Sequence, residues 1–392
     1  MHKFIYSQKD SWISELTSSQ NYGNDEILEI QKYYFNDTLK GVSRALVQFD
    51  LTEISKSINS GEIKYPKFYL KMYSTETDSL PASYTLKSHL ISGSWEEGTG
   101  KYGSDPIVQD GITWTHKDYR YRSGSNDMSW SLYDNDGTGG TRVSSGSRNH
   151  SYNYGGGTFY TGSGFEATQS FSYESPDVRM DVTSLVHKWL SGSSYVSTPA
   201  EFPTSIENNG LIVKFTGSME LSSSTDRGNL KFFSRNTHTI YPPKLEVVWD
   251  DHVGPPNYTS SFTALNMTGE VDNYVYVKGL RESYKETETA KFRIGARKRN
   301  VGRTFSTSVQ TITGSYIAEG SGSYSIIDIH TGETLIPFGD YSLLSLDSGS
   351  MYFNQDLNSF QPNRIYKILI RVKYNDGQEI IYDDDFEFEI VR

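Results

Sequence analysis

Cysteine is absent from the sequence. That excludes a disulfide framework and any thiolate metal site, and it leaves the redox compartment unmarked. No run of about 18 consecutive apolar residues occurs, which excludes a membrane-spanning helix. The opening residues Met1 to Asp10 lack the apolar core of a signal peptide. These two absences predict a soluble chain made in the cytosol without Sec export. Basic charge is scarce: 37 Lys and Arg stand against 48 Asp and Glu, a net charge of −11. Such a balance repels a phosphate backbone and argues against nucleic acid as the principal partner. Neither a Gly-Lys-Ser/Thr phosphate loop nor a Gly-x-Ser-x-Gly elbow is found. The 8 histidines are scattered without His-x-x-x-His or Glu-x-x-His spacing, so the sequence predicts no metal, no cofactor and no catalytic group.

What the chain does have is aromatic and turn chemistry. Aromatics reach 14%, with 29 Tyr, 19 Phe and 34 Gly, a composition suited to many short strands joined by turns. At 392 residues the length exceeds one ordinary core. Alternating runs read as strands at Ser43–Leu51, Lys67–Tyr73, Tyr84–Leu90, Asn209–Phe215, Leu230–Arg235 and Pro243–Trp249. In the first of these, Ala45, Val47 and Phe49 share one face and Leu46 takes the other, which predicts burial on at least one side. One short helix is predicted over Asp181–Leu190. Asp181 can cap its start, Val182, Leu185, Val186 and Trp189 fall on one face, and His187 falls on the polar side.

Between about Lys117 and Phe165 the composition turns to Tyr, Gly, Ser, Asn and Asp. This reads as a long insert, either an adaptable recognition loop or a solvated excursion, with Gly155-Gly156-Gly157 as a flexible turn. The Gly- and Pro-containing segment 251–258 reads as a linker. Beyond it, Asn273–Lys278, Ala290–Gly295 and Ser325–Ile329 read as strands, and Arg364–Tyr374, Asn375-Asp376-Gly377 and Gln378–Tyr382 as a hairpin. The expectation is an all-β chain of two domains: a β-sandwich over 1–250 and an Ig-like β-sandwich over 259–392.

The first domain resembles the disaggregatase-related (DNRLRE) repeat family, β-sandwiches of microbial surface proteins associated with carbohydrate binding. The matching stretches are Arg44–Leu51, Trp95-Glu96-Glu97-Gly98, Gly111-Ile112-Thr113-Trp114, Asp181-Val182-Thr183, Asn209–Val213, and Phe232–Arg235 ahead of Pro243–Val247. The insert departs from the compact form of that family. The whole chain is similar to virion structural proteins of tailed bacteriophages, especially the contractile-tailed phages of cyanobacteria. That resemblance implies a jelly-roll or sandwich domain in a virion part at the neck, tail or head surface, assembled in several copies with other virion proteins and present in the particle without any leader. The family resemblance implies an alternative, a carbohydrate-binding adhesin for host surface polysaccharide.

Two groups of residues stand out as contact candidates. Tyr119, Tyr121, Trp130 and Tyr133 lie in the aromatic insert and read as recognition residues. Lys291, Arg293, Arg297, Lys298, Arg299 and Arg303 form the one basic stretch of an acidic protein, read either as a dock for an acidic neighbour or as a charged strand edge that discourages aggregation. Trp95, Trp114 and Trp189 read as core. Glu96 and Glu97 are adjacent and point to opposite faces of a strand, so they cannot flank one glycosidic bond and read as an exposed turn. Asp134, Asp136 and Gly137 match only part of a calcium loop, with Leu132 at the first ligand position.

Overall fold

A computed structural model describes all residues except 36–37, 124–126, 131–132, 135–140, 145–154, 174, 191–205, 221–227, 255–262, 269–272, 303–304, 306 and 310–313. The fold is an all-β sandwich type, as the alternating runs predict, and every predicted strand is present. The chain divides into two compact units, Ile5–Val247 and Val248–Arg392, the latter also taking in Met1–Phe4. The expected boundary near 250 thus moves to Val248, and the first four residues change sides. Burial explains the second point. The Met1 ammonium donates to the carbonyls of Trp249 and Tyr341, each at 2.7 Å, and Phe4 lies in the same core as Phe360, edge-on at 6.5 Å. Part of the expected linker is also tied down: Val253 N–H donates to Ser345 Oγ at 3.1 Å, and Leu346 N–H donates to the Val253 carbonyl at 3.2 Å.

In the first unit the strand Thr38–Phe49 is central. It pairs antiparallel with His2–Ser14 on one side and Leu211–Phe215 on the other. The sheet continues through Ser83–Leu90 to Glu166–Ser172, and past His2–Ser14 through Lys244–Val248 and Lys67–Met72 to Val178–Asp181. Ile27–Phe35, Gly228–Phe233 and Ser74–Asp78 add a further antiparallel group. Ala45, Val47 and Phe49 are buried, and so is Leu46 on the opposite face. Both faces of this strand are therefore covered, because loops lay Trp95, Ile112, Trp114 and Trp130 over Val42, Leu46 and Ile212.

The predicted helix forms over Thr183–Trp189, with Asp181 Oδ1 accepting from Thr183 N–H at 3.0 Å. His187 departs from its expected polar side. It is buried with Nε2 3.0 Å from the Pro66 carbonyl and its ring edge-on to Phe68, since a seven-residue helix packed on a sheet hides most of its circumference. A second helix, Thr52–Asn59, escapes the sequence reading because only Ile54 and Ile58 mark its buried face.

The second unit is a two-sheet sandwich. One sheet runs Thr263–Ala264, Ser315–Tyr316, Thr289–Lys298, Met351–Asp356, Ser345–Leu346, with Asn273–Lys278 also on Thr289–Lys298. The other runs Ser283–Lys285, Glu379–Val391, Arg364–Lys373, Gly322–Asp328, Thr334–Ile336. Phe292, Tyr324, Ile326, Phe353, Ile368 and Phe388 fill the core, and Tyr324 stacks on Phe353 with centroids 3.8 Å apart. Aromatic pairs of this kind supply large apolar area with fixed geometry.

Candidate recognition platform

Within the first unit, three irregular segments (15–25, 98–112 and 113–123) are fastened to one another by side chains and by single backbone bonds, such as Asn21 N–H to the Val108 carbonyl at 2.9 Å, rather than by strand ladders. Asn21 is their hub. Its buried amide donates to the carbonyls of Glu97 and Ile112, both at 2.7 Å, and accepts from Gly23 N–H at 3.0 Å and Gly100 N–H at 2.8 Å. All four hydrogen-bonding positions of the amide are used. A Cβ on Gly100 would overlap the Asn21 carbonyl, so the approach needs glycine. Around the hub, Gln20 Nε2 donates to the Lys101 carbonyl at 3.2 Å, Gln109 Nε2 to Ser19 Oγ at 3.1 Å, and Thr115 Oγ1 to the Ser18 carbonyl at 3.2 Å. Trp12 stacks on Tyr22 at 3.7 Å beneath them.

These fixed loops raise large side chains into solvent. Tyr102 is 73% exposed, Leu16 56%, Ile107 50% and Tyr121 48%. Tyr121 ends a 3-10 turn, Tyr119–Tyr121, whose start is closed by the buried Asp118. Arg120 grips that carboxylate through Nε at 2.9 Å and Nη2 at 2.6 Å, and this pairing holds Asp118 below the usual carboxylate range against the opposing effect of burial. Tyr119 is half-buried, its ring edge-on to His116 at 5.0 Å with the Arg122 guanidinium 5.2 Å away.

Of the insert residues singled out by composition, Tyr121 is exposed and Tyr119 is half-buried. Trp130 is a correction: it is fully buried, with its indole N–H donating to the Thr113 carbonyl at 3.1 Å, so it pins the insert to the core and meets no partner. Tyr133 lies in the strand Tyr133–Asp134, but its side chain is outside the described residues. Of the partial calcium loop, 135–140 also lies outside them, and among the described residues no metal-holding cluster occurs. The glycine triplet is a second correction. Gly155, Gly156 and Gly157 all have positive φ and pack directly on Trp114, Arg44 and Ile212, where a Cβ would overlap, so the segment is locked. Glu97 is a third: half-buried, it accepts from Asp10 N–H at 2.9 Å and pairs with Arg235 at 3.2 Å. Trp95, Trp114 and Trp189 are core residues, as read.

Inside the first unit lie charges that no motif announced. Arg44, only 2% exposed, pairs with Glu220 at 3.1 Å and donates to the Gly156 carbonyl, while Lys214 meets the same carboxylate at 2.5 Å. Burial opposes the charge on Glu220, but the two cations prevail and hold it below its usual range. At the edge of the unit Asp10 is 1% exposed. Its Oδ2 accepts from Arg235 N–H at 2.7 Å while Oδ1 has no hydrogen-bond partner among the described residues. Burial pushes its carboxyl up to about 7, and the nearby Glu97 adds to the effect.

In the second unit Lys291 and Arg293 are both committed to Asp347, at 2.7 and 2.9 Å. Only Arg297, Lys298 and Arg299 of the basic stretch remain without an acidic partner among the described residues, and Arg303 lies outside them. The residues that sequence reading missed, Leu16, Asn21, Tyr102 and Ile107, carried one weak signal: Tyr102 stands between Gly100 and Gly103, where a turn exposes whatever it carries.

No protein-family model matches the chain, and no curated protein matches it. Among solved structures, the adhesin domain of Epf from Streptococcus pyogenes aligns over 89% of this chain and 73% of that one at 8% identity, with a TM-score of 0.16. At that score the backbones do not share a superposable fold, and the likeness carries no argument.

Proposed function

We propose that this chain is a non-enzymatic structural protein of a tailed-bacteriophage particle, which assembles in several copies and engages neighbouring virion proteins through the platform of its first unit. The observation that carries the reading is the pairing of exposed Tyr102, Tyr121, Leu16 and Ile107 with loops fixed by Asn21. Pre-organised apolar and aromatic groups lose little entropy on binding, which is what an assembly contact needs. The resemblance of the chain to virion proteins supports the source. Mass spectrometry of purified particles, with labelled antibody imaging, tests it: the protein present in multiple copies is expected, and its absence from particles overturns the reading.

A second reading, a DNRLRE-like adhesin for host polysaccharide, is supported by the same exposed tyrosines, since sugar rings stack on aromatic faces. Titration with host surface polysaccharide separates the two. Binding lost in Tyr102→Ala and Tyr121→Ala favours adhesion, and binding no stronger than to an unrelated glycan removes it.

A further inference from the structure

The two outer faces of the second unit carry opposite chemistry. On one face, Tyr274 lies opposite Arg297, Tyr276 opposite Gly295, and Lys278 opposite Arg293. Tyr274 and Tyr276 stack at 5.3 Å, the Arg297 guanidinium sits 5.0 Å from the Tyr274 ring, and Tyr276 crosses Gly295, where a Cβ would overlap it. Lys278, Lys298 and Arg299 are exposed beside this row. Six basic residues and no acidic one lie between Thr289 and Ala318. Since Asp347 absorbs Lys291 and Arg293, a surplus of positive charge borders the tyrosines.

The opposite sheet presents the complement. Tyr366, Ile368, Phe386 and Phe388 point into the core, so their alternates point out. Ile365 and Ile381 are 37% and 52% exposed there. A bulge at Asp385, with φ of 52°, spreads carboxylates along the edge. Arg371 and Lys373 on this face share Glu379, and Lys367 faces Asp383 at 3.1 Å, Asp385 at 3.1 Å and Glu387 at 3.9 Å, so among the described residues three carboxylates share that one ammonium.

We infer that a second copy of this chain covers each face, the basic tyrosine face of one copy meeting the acidic isoleucine face of the next. The inference rests on the assembly reading above and names its contact. A two-fold pairing of either face with itself would bring like charges together, whereas a face-to-back contact satisfies both. Such a heterologous contact repeats around a ring when its rotation closes.

The test weighs the full chain in solution by sedimentation and mass photometry. Self-association is expected at low salt, and raising ionic strength from ~0.1 M to ~1 M, which shortens the screening length from about 10 Å to about 3 Å, is expected to shift it toward monomer. Arg297→Glu with Lys298→Glu, or Asp383→Lys with Asp385→Lys, should each weaken association at least tenfold. An equimolar mixture of the two double variants should restore it, because each then offers the face the other needs. A wild-type chain that stays monomeric at both salt concentrations overturns the inference without reference to any variant, as does assembly that neither double variant weakens. Rings formed by a protein missing from particles would sink the assembly reading alone; a monomer present in particles would sink this inference alone.

Discussion

The two units solve the same problem by different means. The second is a largely apolar sandwich: its buried hydrophobic residues are mostly Phe, Tyr, Ile and Leu, and among the described residues its one buried charged side chain, Asp328, is paired with Arg364. The first carries Arg44, Lys214, Glu220 and Asp10 inside, together with loops tied by several polar side chains around the Asn21 amide. Irregular loops have no ladder to satisfy their backbone, so polar side chains must do it. That arrangement fixes loops that carry exposed aromatic side chains, and it makes the first unit the more sensitive to single substitutions and to pH.

The strongest way to break the comparison is at Glu220. Glu220→Gln leaves Arg44 and Lys214 buried without their carboxylate, and a loss of about 3–5 kcal/mol is expected. Calorimetry should show the transition of the first unit falling while that of the second stays put. If both fall equally, the units do not unfold independently.

Next comes pH. The Asp10 carboxyl is raised from 3.8 to about 7 in the fold, so the folded state keeps a proton that the unfolded chain releases. Its contribution is largest in acid, declines as pH rises from about 4 to about 7, and levels off above, an effect of roughly 2–4 kcal/mol. Asp10→Asn should flatten that decline in urea titrations across the same window. The buried His89, lowered to about 4 chiefly by desolvation and then by Lys214, acts in the opposite sense: stability present above about 6.5 is lost as pH falls toward 4. His89→Phe should leave the acid limb of the profile shallower.

Asn21→Ala sharpens the comparison locally. It removes the partner of two carbonyls and two N–H groups but opens room for water among them, so an overall loss of about 1–3 kcal/mol, that of one buried group left unsatisfied, is expected. Amide hydrogen exchange should accelerate across 98–112 and leave the hairpin 364–391 unchanged. The smallest effect belongs to the second unit: Ile381→Ser, at an exposed outer position, should change stability by less than about 0.5 kcal/mol. It should nonetheless weaken self-association, a split that a purely structural residue would not show.

Much of the fold was legible because period-two alternation declares both a strand and its buried face. Arg364–Lys373 and Asn273–Lys278 appear where the pattern places them. The helix at Thr52 was not, because two isoleucines four apart are too short a signal. Site residues fared worse for a physical reason: Trp130 and Tyr121 are neighbours in an aromatic-rich insert, and composition treats them alike. Only the path of the chain sends one indole to the Thr113 carbonyl and leaves one phenol in water.

The sequence by itself determined an all-β chain, its strands, its acidic balance and the concentration of basic residues in one stretch. These are local properties, fixed by side-chain alternation and by composition. Tertiary structure alone decided that Met1–Phe4 belongs with the second unit, that Gly155-Gly156-Gly157 is locked against Arg44 and Trp114, and that Lys291 and Arg293 are spent on Asp347. Each of these depends on residues about 40 or more positions apart meeting in space, and no local pattern encodes such a meeting.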